Sequence, residues 1–151
     1  MRIIVDTREH ENAVEPILQA FTDAGHEYIR QKLDVGDYMD SENETLSIDR
    51  KQNMSEVCSN VCQQHARFIR ELDRAKEQGI RLIILVADER ITSLDDVQTW
   101  LNPRRLVSKG AIKGDKLYKM LSTIETRHGC EFRFCKPSAV PETIVNILSE
   151  G

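Results

Sequence analysis

The amino-terminal third of the chain contains the residue types that metal-assisted phosphodiester hydrolysis needs. Asp6 and Glu9 follow the first apolar run, and Asp37, Asp49 and Lys51 lie in the two segments after it. In such chemistry, carboxylates hold a divalent cation that polarises the phosphate and lowers the pKa of the attacking water. Magnesium prefers oxygen ligands and keeps several waters, so about two or three carboxylates suffice. A nearby lysine orients the water and offsets charge developing on the phosphate.

The spacing of these residues predicts that three of them form one site. Side chains two apart on a strand point to the same face, so Asp49 and Lys51 project together while Arg50 points away. Asp37 precedes them at hairpin distance. The pattern alone arises by chance in charged proteins, and any one of these acids is more typical of a solvated strand end or helix cap. Combined with the order of elements, the pattern favours a catalytic site.

Hydrophobic periodicity assigns the elements that must position these residues. The predicted strands are Arg2–Asp6, Glu27–Leu33 continued by Gly36–Met39, Thr45–Lys51, Arg81–Ala87 and Glu131–Cys135. The predicted helices are Glu11–Ala24, Met54–Gln78, Ser93–Leu101, Asp115–Arg127 and one that Pro141 opens. One antiparallel hairpin followed by helical crossovers predicts an α/β fold with a mixed central sheet.

Three motifs in order resemble a known nuclease family. They are Val-Asp-Thr-Arg-Glu at 5–9, Val-Gly-Asp-Tyr at 35–38 and Ile-Asp-Arg-Lys at 48–51. Together they resemble the XPF–Hef family of structure-specific endonucleases, within the PD-(D/E)xK superfamily, and most of all its small stand-alone members from phages and prophages. The resemblance is strong over residues 3–56 and looser to the end. It implies one restriction-endonuclease-like, three-layer nuclease domain over residues 1–151.

The resemblance also implies roles for individual residues. Mg²⁺ or Mn²⁺ is expected to be bound by four carboxylates, with the Arg50 backbone carbonyl as a further ligand; the four are Asp6, Glu9, Asp37 and Asp49. Lys51 is expected to position or activate the water. Arg8 and Arg50 are expected to contact phosphate or to organise the acidic cluster. For Arg8, a salt bridge to a neighbouring carboxylate is an equally open interpretation.

Two positions depart from the family pattern. Asp49 lies where the family usually has Glu, and Ser55 lies where its third motif ends in Asp, with Glu56 as the one available substitute. We also expect no helix-hairpin-helix pair, the element that commonly grips duplex DNA in the family, within residues 1–151. We therefore expect DNA binding to depend on another segment.

Charge is unevenly distributed and points to that segment. The net charge is −4 overall, yet residues 1–49 carry −8 and residues 102–119 carry +5. Clustered base suits phosphate binding. Asn102–Gly114 is predicted to be a basic loop, and the candidate DNA-binding residues are Arg104, Arg105, Lys109, Lys113 and Lys116. A mobile surface loop is the competing interpretation. His65, Arg67 and Arg70 also have helical positions from which to face the cleft, although His65 is not assigned to the site.

The sequence thus predicts a metal-dependent DNA endonuclease that cuts branched or flapped DNA in recombination, repair or phage replication. A catalytically silent DNA-binding or scaffolding subunit and a restriction-type duplex endonuclease are the alternatives. Expected partners are DNA and a second copy of the chain. No apolar run is long enough for a bilayer span and no signal peptide is seen, so we expect a location in the cytoplasm of a bacterial or phage-infected cell, without secretion.

Overall fold

A computed structural model describes residues 1–151, and its six strands form one sheet. The strands are β1 (Arg2–Val5), β2 (Glu27–Arg30), β3 (Tyr38–Asp40), β4 (Asn43–Lys51), β5 (Arg81–Ala87) and β6 (Glu131–Cys135). The helices are α1 (Glu11–Asp23), α2 (Met54–Cys62), α3 (His65–Glu77), α4 (Gly114–His128) and α5 (Val140–Leu148). The spatial order of strands is β2-β1-β3-β4-β5-β6. The predicted three-layer α/β fold with a mixed sheet is confirmed.

The sheet mixes parallel and antiparallel pairs at its centre. Strand β3 runs antiparallel to both β1 and β4, whereas β1–β2, β4–β5 and β5–β6 are parallel. The expectation that Gly36–Met39 continues Glu27–Leu33 is wrong, because β2 and β3 lie on opposite sides of β1. The chain reverses at Gly36, whose φ of +75° favours glycine. A Cβ there would also clash with Ser47 Oγ.

Two apolar cores cover the two faces of the sheet. Helices α1 and α5 pack on one face against Ile83 and Leu85 of β5. Helices α2, α3 and α4 pack on the other face against Leu82, Ile84 and Val86. Every residue of β5 after Arg81 is buried, as the continuous apolar run predicts for a strand covered on both sides.

The single helix predicted over Met54–Gln78 is wrong, because two helices occupy this stretch. Helix α2 ends at Cys62 and α3 begins at His65. At the break, Nδ1 of the His65 ring lies 3.1 Å from the Val61 carbonyl oxygen, the acceptor that the His65 backbone N–H would use in an unbroken helix. The apolar stripe keeps its helical spacing across the break, so periodicity does not reveal it.

The helix predicted over Ser93–Leu101 is also wrong, because only a 3₁₀ turn forms, at Asp95–Thr99. The Asp96 carboxylate accepts hydrogen bonds from the backbone N–H and hydroxyl of Thr92, which closes the segment on itself. The basic loop that follows contains a second short 3₁₀ turn, Pro103–Leu106. No helix of the chain is both long and apolar enough to span a bilayer.

Candidate active site

Backbone hydrogen bonds hold the three motif segments together at one end of the sheet. The Asp6 N–H donates to the Asp37 carbonyl at 2.8 Å, and the Asp37 N–H donates to the Ile48 carbonyl at 2.7 Å. The Arg50 N–H then donates to Oδ2 of Asp37 at 2.8 Å. These bonds follow from the antiparallel pairing of β3 with β1 and with β4. They place Asp37 between the two other motifs.

Asp37, Asp49 and Lys51 lie together, as the strand alternation predicts. The Lys51 ammonium nitrogen is 3.3 Å from Oδ2 of Asp49. The Asp49 side chain is only 7% exposed, and its Oδ2 has no hydrogen-bond partner. Burial and the neighbouring carboxylates of Asp49 and Glu9 raise the pKa of Asp37 well above its ordinary value. Asp37 and Asp49 are therefore two buried carboxylates side by side, with the Lys51 ammonium in contact with Asp49.

Lys51 remains a cation in this setting. Burial lowers the pKa of Lys51, but the carboxylates of Asp49, Glu56 and Glu71 outweigh that effect, so its pKa is raised. The ammonium also lies 5.7 Å from the centre of the Phe68 ring, within the range of a cation–π contact. A protonated Lys51 can orient water and stabilise negative charge on a phosphate, and it cannot accept a proton.

The Asp6 carboxylate is engaged by hydrogen bonds from its own surroundings. Its Oδ1 accepts from the Leu33 N–H at 2.8 Å, and its Oδ2 accepts from Arg8 Nε at 2.8 Å. Burial alone raises the pKa of Asp6, but the bonds from Arg8 and Leu33 outweigh it and lower the pKa. Of the two interpretations for Arg8, the salt bridge is the one present in the structure.

Glu9 is engaged in a similar way, on the opposite face of β4 from Lys51. Its Oε2 accepts from Arg50 Nε at 3.0 Å, from an Arg50 terminal nitrogen at 2.7 Å and from the Tyr38 hydroxyl at 3.1 Å. No three Asp, Glu, His or Cys side chains of the chain are arranged to hold a metal ion as they stand. Asp6, Asp37 and Asp49 line one cleft, whereas Glu9 does not line it. Metal binding by all four acids stays a prediction.

The Asp37–Asp49 pair nevertheless fits a divalent cation. Oδ2 of Asp49 is buried and accepts no hydrogen bond of normal geometry; its charged neighbour is the Lys51 ammonium at 3.3 Å, so lone pairs of this carboxylate remain open to a cation. The raised pKa of Asp37 reflects its burial and the nearby charges of Asp49 and Glu9, which a bound cation would offset. Magnesium takes oxygen ligands from one or two carboxylates and keeps waters in its remaining positions. The donor set is therefore suitable for Mg²⁺ or Mn²⁺.

Helix α3 forms the wall of the cleft in front of these acids. The cleft has a volume of about 490 Å³ and no apolar side chain in its lining. From α3, its lining includes Arg67, Arg70, Glu71 and Arg74. Arg67 and Arg70 were candidates for this position, whereas Glu71 and Arg74 were not recognised. Glu71 and Arg74 each lie four residues after one of these arginines, away from the apolar stripe of α3, and this spacing could have identified them.

Glu71 adds an acid that the sequence motifs do not include. Burial and the charge of Asp49 raise the pKa of Glu71. Ser55, where the family has its third-motif Asp, is exposed on α2. Glu56 is occupied at its own helix terminus, where its Oε2 accepts from the Gln52 N–H at 3.1 Å. Glu71 and Asp34 are thus additional acids that line the same cleft as Asp49.

A second, larger cleft of about 1090 Å³ lies between α2 and the basic segment. All five candidate DNA-binding residues line it, namely Arg104, Arg105, Lys109, Lys113 and Lys116. Internal hydrogen bonds order this segment: an Arg105 terminal nitrogen donates to the carbonyls of Lys109 and Ala111, at 3.1 and 2.7 Å. The side chain of Asn102 donates to the Ile112 carbonyl at 3.0 Å. These bonds argue against a purely mobile surface loop.

The two clefts adjoin at the break between α2 and α3. Gln63 and His65 line the basic cleft, and Gln64 and Arg67 line a small pocket beside Lys51. Arg67 also lines the acidic cleft. A continuous polar surface therefore connects the basic segment with the carboxylates. His65 lies outside the acidic cleft, at the edge of the basic one.

Comparison with known proteins agrees with this geometry. The sequence model of the ERCC4 domain matches residues 5–145. The solved structure of XPF from Aeropyrum pernix is similar, with a TM-score of 0.70 at 19% identity over 99% of this chain and 64% of that chain. XPF from Aeropyrum pernix in complex with DNA gives 0.69 at 18% identity, with the same coverage. No curated protein sequence matches the chain.

Two conclusions follow from these matches. At such low identity the solved structures show the fold alone, and the chain spans 64% of their length. The family model, by contrast, covers nearly the whole chain, which confirms the resemblance drawn from the three motifs. The chain belongs to the ERCC4 domain family.

Proposed function

We propose that the protein is a divalent-metal-dependent DNA endonuclease that hydrolyses phosphodiester bonds in branched or flapped DNA. The observation that carries the proposal is the arrangement of Asp37, Asp49 and Lys51 at the end of β4. There the protonated Lys51 lies 3.3 Å from a buried oxygen of Asp49, and the buried carboxylate of Asp37 lies beside them. In this proposal the enzyme acts in recombination, repair or phage replication.

The side chains of the cleft divide the chemical work between them. Asp37 and Asp49 would hold the cation, which supplies Lewis-acid polarisation of the phosphate and a more acidic water. Lys51 orients the water and meets negative charge that builds on the phosphate oxygens. Arg67 and Arg70, on the facing wall, are suited to bind the phosphates on either side of the scissile bond.

The adjoining basic cleft supports DNA as the substrate. Its five cations line one concave surface, and the polar surface along the α2–α3 break leads from there to Lys51. Phosphate contacts of this kind position a nucleic acid without reading its sequence. The DNA complex of XPF from Aeropyrum pernix lends further support, since that protein has the same fold. A structure-selective enzyme fits these features better than a sequence-specific one.

A catalytically silent DNA-binding subunit is the alternative of a different class. It accounts for the basic cleft but gives no reason for two buried carboxylates, Asp37 and Asp49, placed side by side with Lys51. Restriction-type cleavage shares the catalytic groups and differs in its substrate. The experiment below separates all three functions.

The test is a panel of end-labelled flaps, forks, three-way junctions, single strands and linear duplexes, incubated with Mg²⁺ or Mn²⁺. We expect cuts close to the branch point and no cuts on linear duplex. Absence of cutting on every substrate, while junction DNA is still bound, would favour the silent subunit. Sequence-defined cuts on linear duplex would favour the restriction-type enzyme.

A further inference from the structure

Three large apolar side chains are almost fully exposed within residues 101–107, where the basic segment (residues 102–119) begins. Leu106 is 90% exposed, Val107 is 89% exposed and Leu101 is 81% exposed. The other exposed large apolar residues, Met1 and Tyr28, are below 40% exposed. Single exposed apolar residues are common on protein surfaces, but a concentrated group marks a contact with something else.

Leu106 and Val107 are adjacent and are held in place by ordered backbone. They lie at the end of the 3₁₀ turn Pro103–Leu106, where the Val107 and Ser108 N–H groups donate to the Arg104 carbonyl at 3.1 and 2.8 Å. The base of the segment is fixed by Asn102, which is 6% exposed and bonded at both ends of its amide. The exposure of the pair is therefore a property of a folded turn.

The charges around Leu106 and Val107 restrict the kind of partner that can cover these two side chains. Arg104, Arg105 and Lys109 flank the two side chains in sequence, and all three line the basic cleft. A second copy of the chain would bring the same cations together, which opposes a self-complementary contact. A polyanion that has apolar surface between its charges can contact both the flanking cations and the two apolar side chains. The bases of DNA provide such surface once they are unstacked, and proteins insert leucine and similar residues there.

We propose that Leu106 and Val107 insert between bases at the branch point of a DNA junction while the flanking cations hold its phosphates. This inference rests on the proposed action on DNA and specifies how a branch is distinguished from plain duplex. Insertion into continuous duplex must first unstack a base step. At a branch point the stack is already interrupted, so the same contact costs less. This insertion of Leu106 and Val107 therefore favours branched substrates without reading their sequence.

The test is equilibrium binding in EDTA, with the wild-type chain and with junction DNA carrying 2-aminopurine at the branch point. We expect the fluorescence of the probe to rise when the wild type binds, because the base is unstacked. In the Leu106→Ala/Val107→Ala variant we expect most of that rise to be lost. Its preference for junction over duplex should fall about tenfold, which corresponds to about 1.4 kcal/mol. Leu101→Ala removes a leucine that is 81% exposed and lies before Asn102, and this variant should behave as wild type.

Three results would contradict the proposed insertion of Leu106 and Val107. The first is an unchanged fluorescence rise and junction preference in the double variant. The second is an equal loss in Leu101→Ala, which would mean that the pair has no particular role. The third is a dimeric wild type that the double substitution converts to a monomer by sedimentation, which would assign the pair to a second copy. Because no metal is present, these results are independent of whether the protein cleaves DNA.

Discussion

Arg50 and Glu9 form an ion pair on the opposite face of β4 from Asp49 and Lys51. Two guanidinium nitrogens of Arg50 donate to the same Glu9 oxygen, at 3.0 and 2.7 Å. The Arg50 side chain is 13% exposed and that of Glu9 is 7% exposed. The pair fixes the loop after β1 to the end of β4, and thereby joins the first motif to the third.

Arg50→Met should destabilise the protein, because it leaves the Glu9 carboxylate buried with Tyr38 as its remaining donor. Removal of one partner of a buried ion pair costs about 3 kcal/mol or more. For a chain of this size that lowers the melting temperature by roughly 6–12 °C. Thermal unfolding in EDTA measures the effect. The double variant Arg50→Met/Glu9→Gln should be more stable than Arg50→Met alone, and an equal or larger loss would contradict the ion-pair account.

Lys51→Ala should slow cleavage severely while it leaves DNA binding close to that of the wild type. The ammonium meets charge that develops only in the reaction, and loss of one such donor typically costs about 10²–10³ in rate. Single-turnover cleavage and equilibrium binding measure the two effects separately. Lys76→Ala is the matched control, since Lys76 is an exposed lysine on α3. Cleavage at the wild-type rate by Lys51→Ala would exclude the assigned role.

Removal of charge at Lys109 and Lys113 should weaken DNA binding and flatten its dependence on salt. Each neutralised phosphate contributes about 0.9 to the logarithmic salt slope on duplex DNA, so the double alanine variant should lose about 2 from that slope. Titrations at several salt concentrations measure it. The double variant Lys76→Ala/Lys136→Ala removes the same charge from exposed positions elsewhere. An equal loss in that control would mean that only net charge matters.

Asp37→Asn should raise stability at neutral pH in the absence of divalent metal. The pKa of Asp37 is raised by burial and by Asp49 and Glu9, so at neutral pH its charge opposes folding. An asparagine oxygen can still accept from the Arg50 N–H. We expect a melting temperature about 2–4 °C higher, the size of a change of about 1 kcal/mol in a chain of this length.

The pH dependence of that gain is a second check. An acid whose pKa is raised by folding favours the folded state at low pH, and this contribution is lost as the pH rises through the raised value. The gain from Asp37→Asn should therefore vanish below about pH 4, where the carboxyl is protonated in both states. Melting curves from acid to neutral pH measure it. A gain that stays constant with pH would contradict the electrostatic cause.

Local sequence rules predicted the parts of the site that depend on one strand or one turn. The alternation along β4 placed Asp49 with Lys51 and Arg50 opposite, as the contacts of the structure bear out. The buried run of β5 similarly gave a strand covered on both faces. In such cases the period of the backbone alone determines where a side chain points.

Other features depend on tertiary pairing, which periodicity does not contain. Gly36 sends β3 to the far side of β1 from β2, although the sequence there continues an extended pattern. The break at His65 leaves the apolar spacing of α2 and α3 in phase. Glu71 enters the acidic cleft only because α3 packs across the end of β4. The ion pair between Glu9 and Arg50 also joins residues that are 41 positions apart.

The most direct test of the catalytic centre is single-turnover cleavage of a branched DNA by the wild type and by Asp49→Asn, across Mg²⁺ concentrations and in EDTA. We expect the wild type to cut only with metal. We expect Asp49→Asn to cut at no Mg²⁺ concentration, while it binds the same DNA as tightly as the wild type in EDTA. Cleavage by the wild type in EDTA, or by Asp49→Asn at the wild-type rate, would rule out metal-dependent catalysis at Asp49.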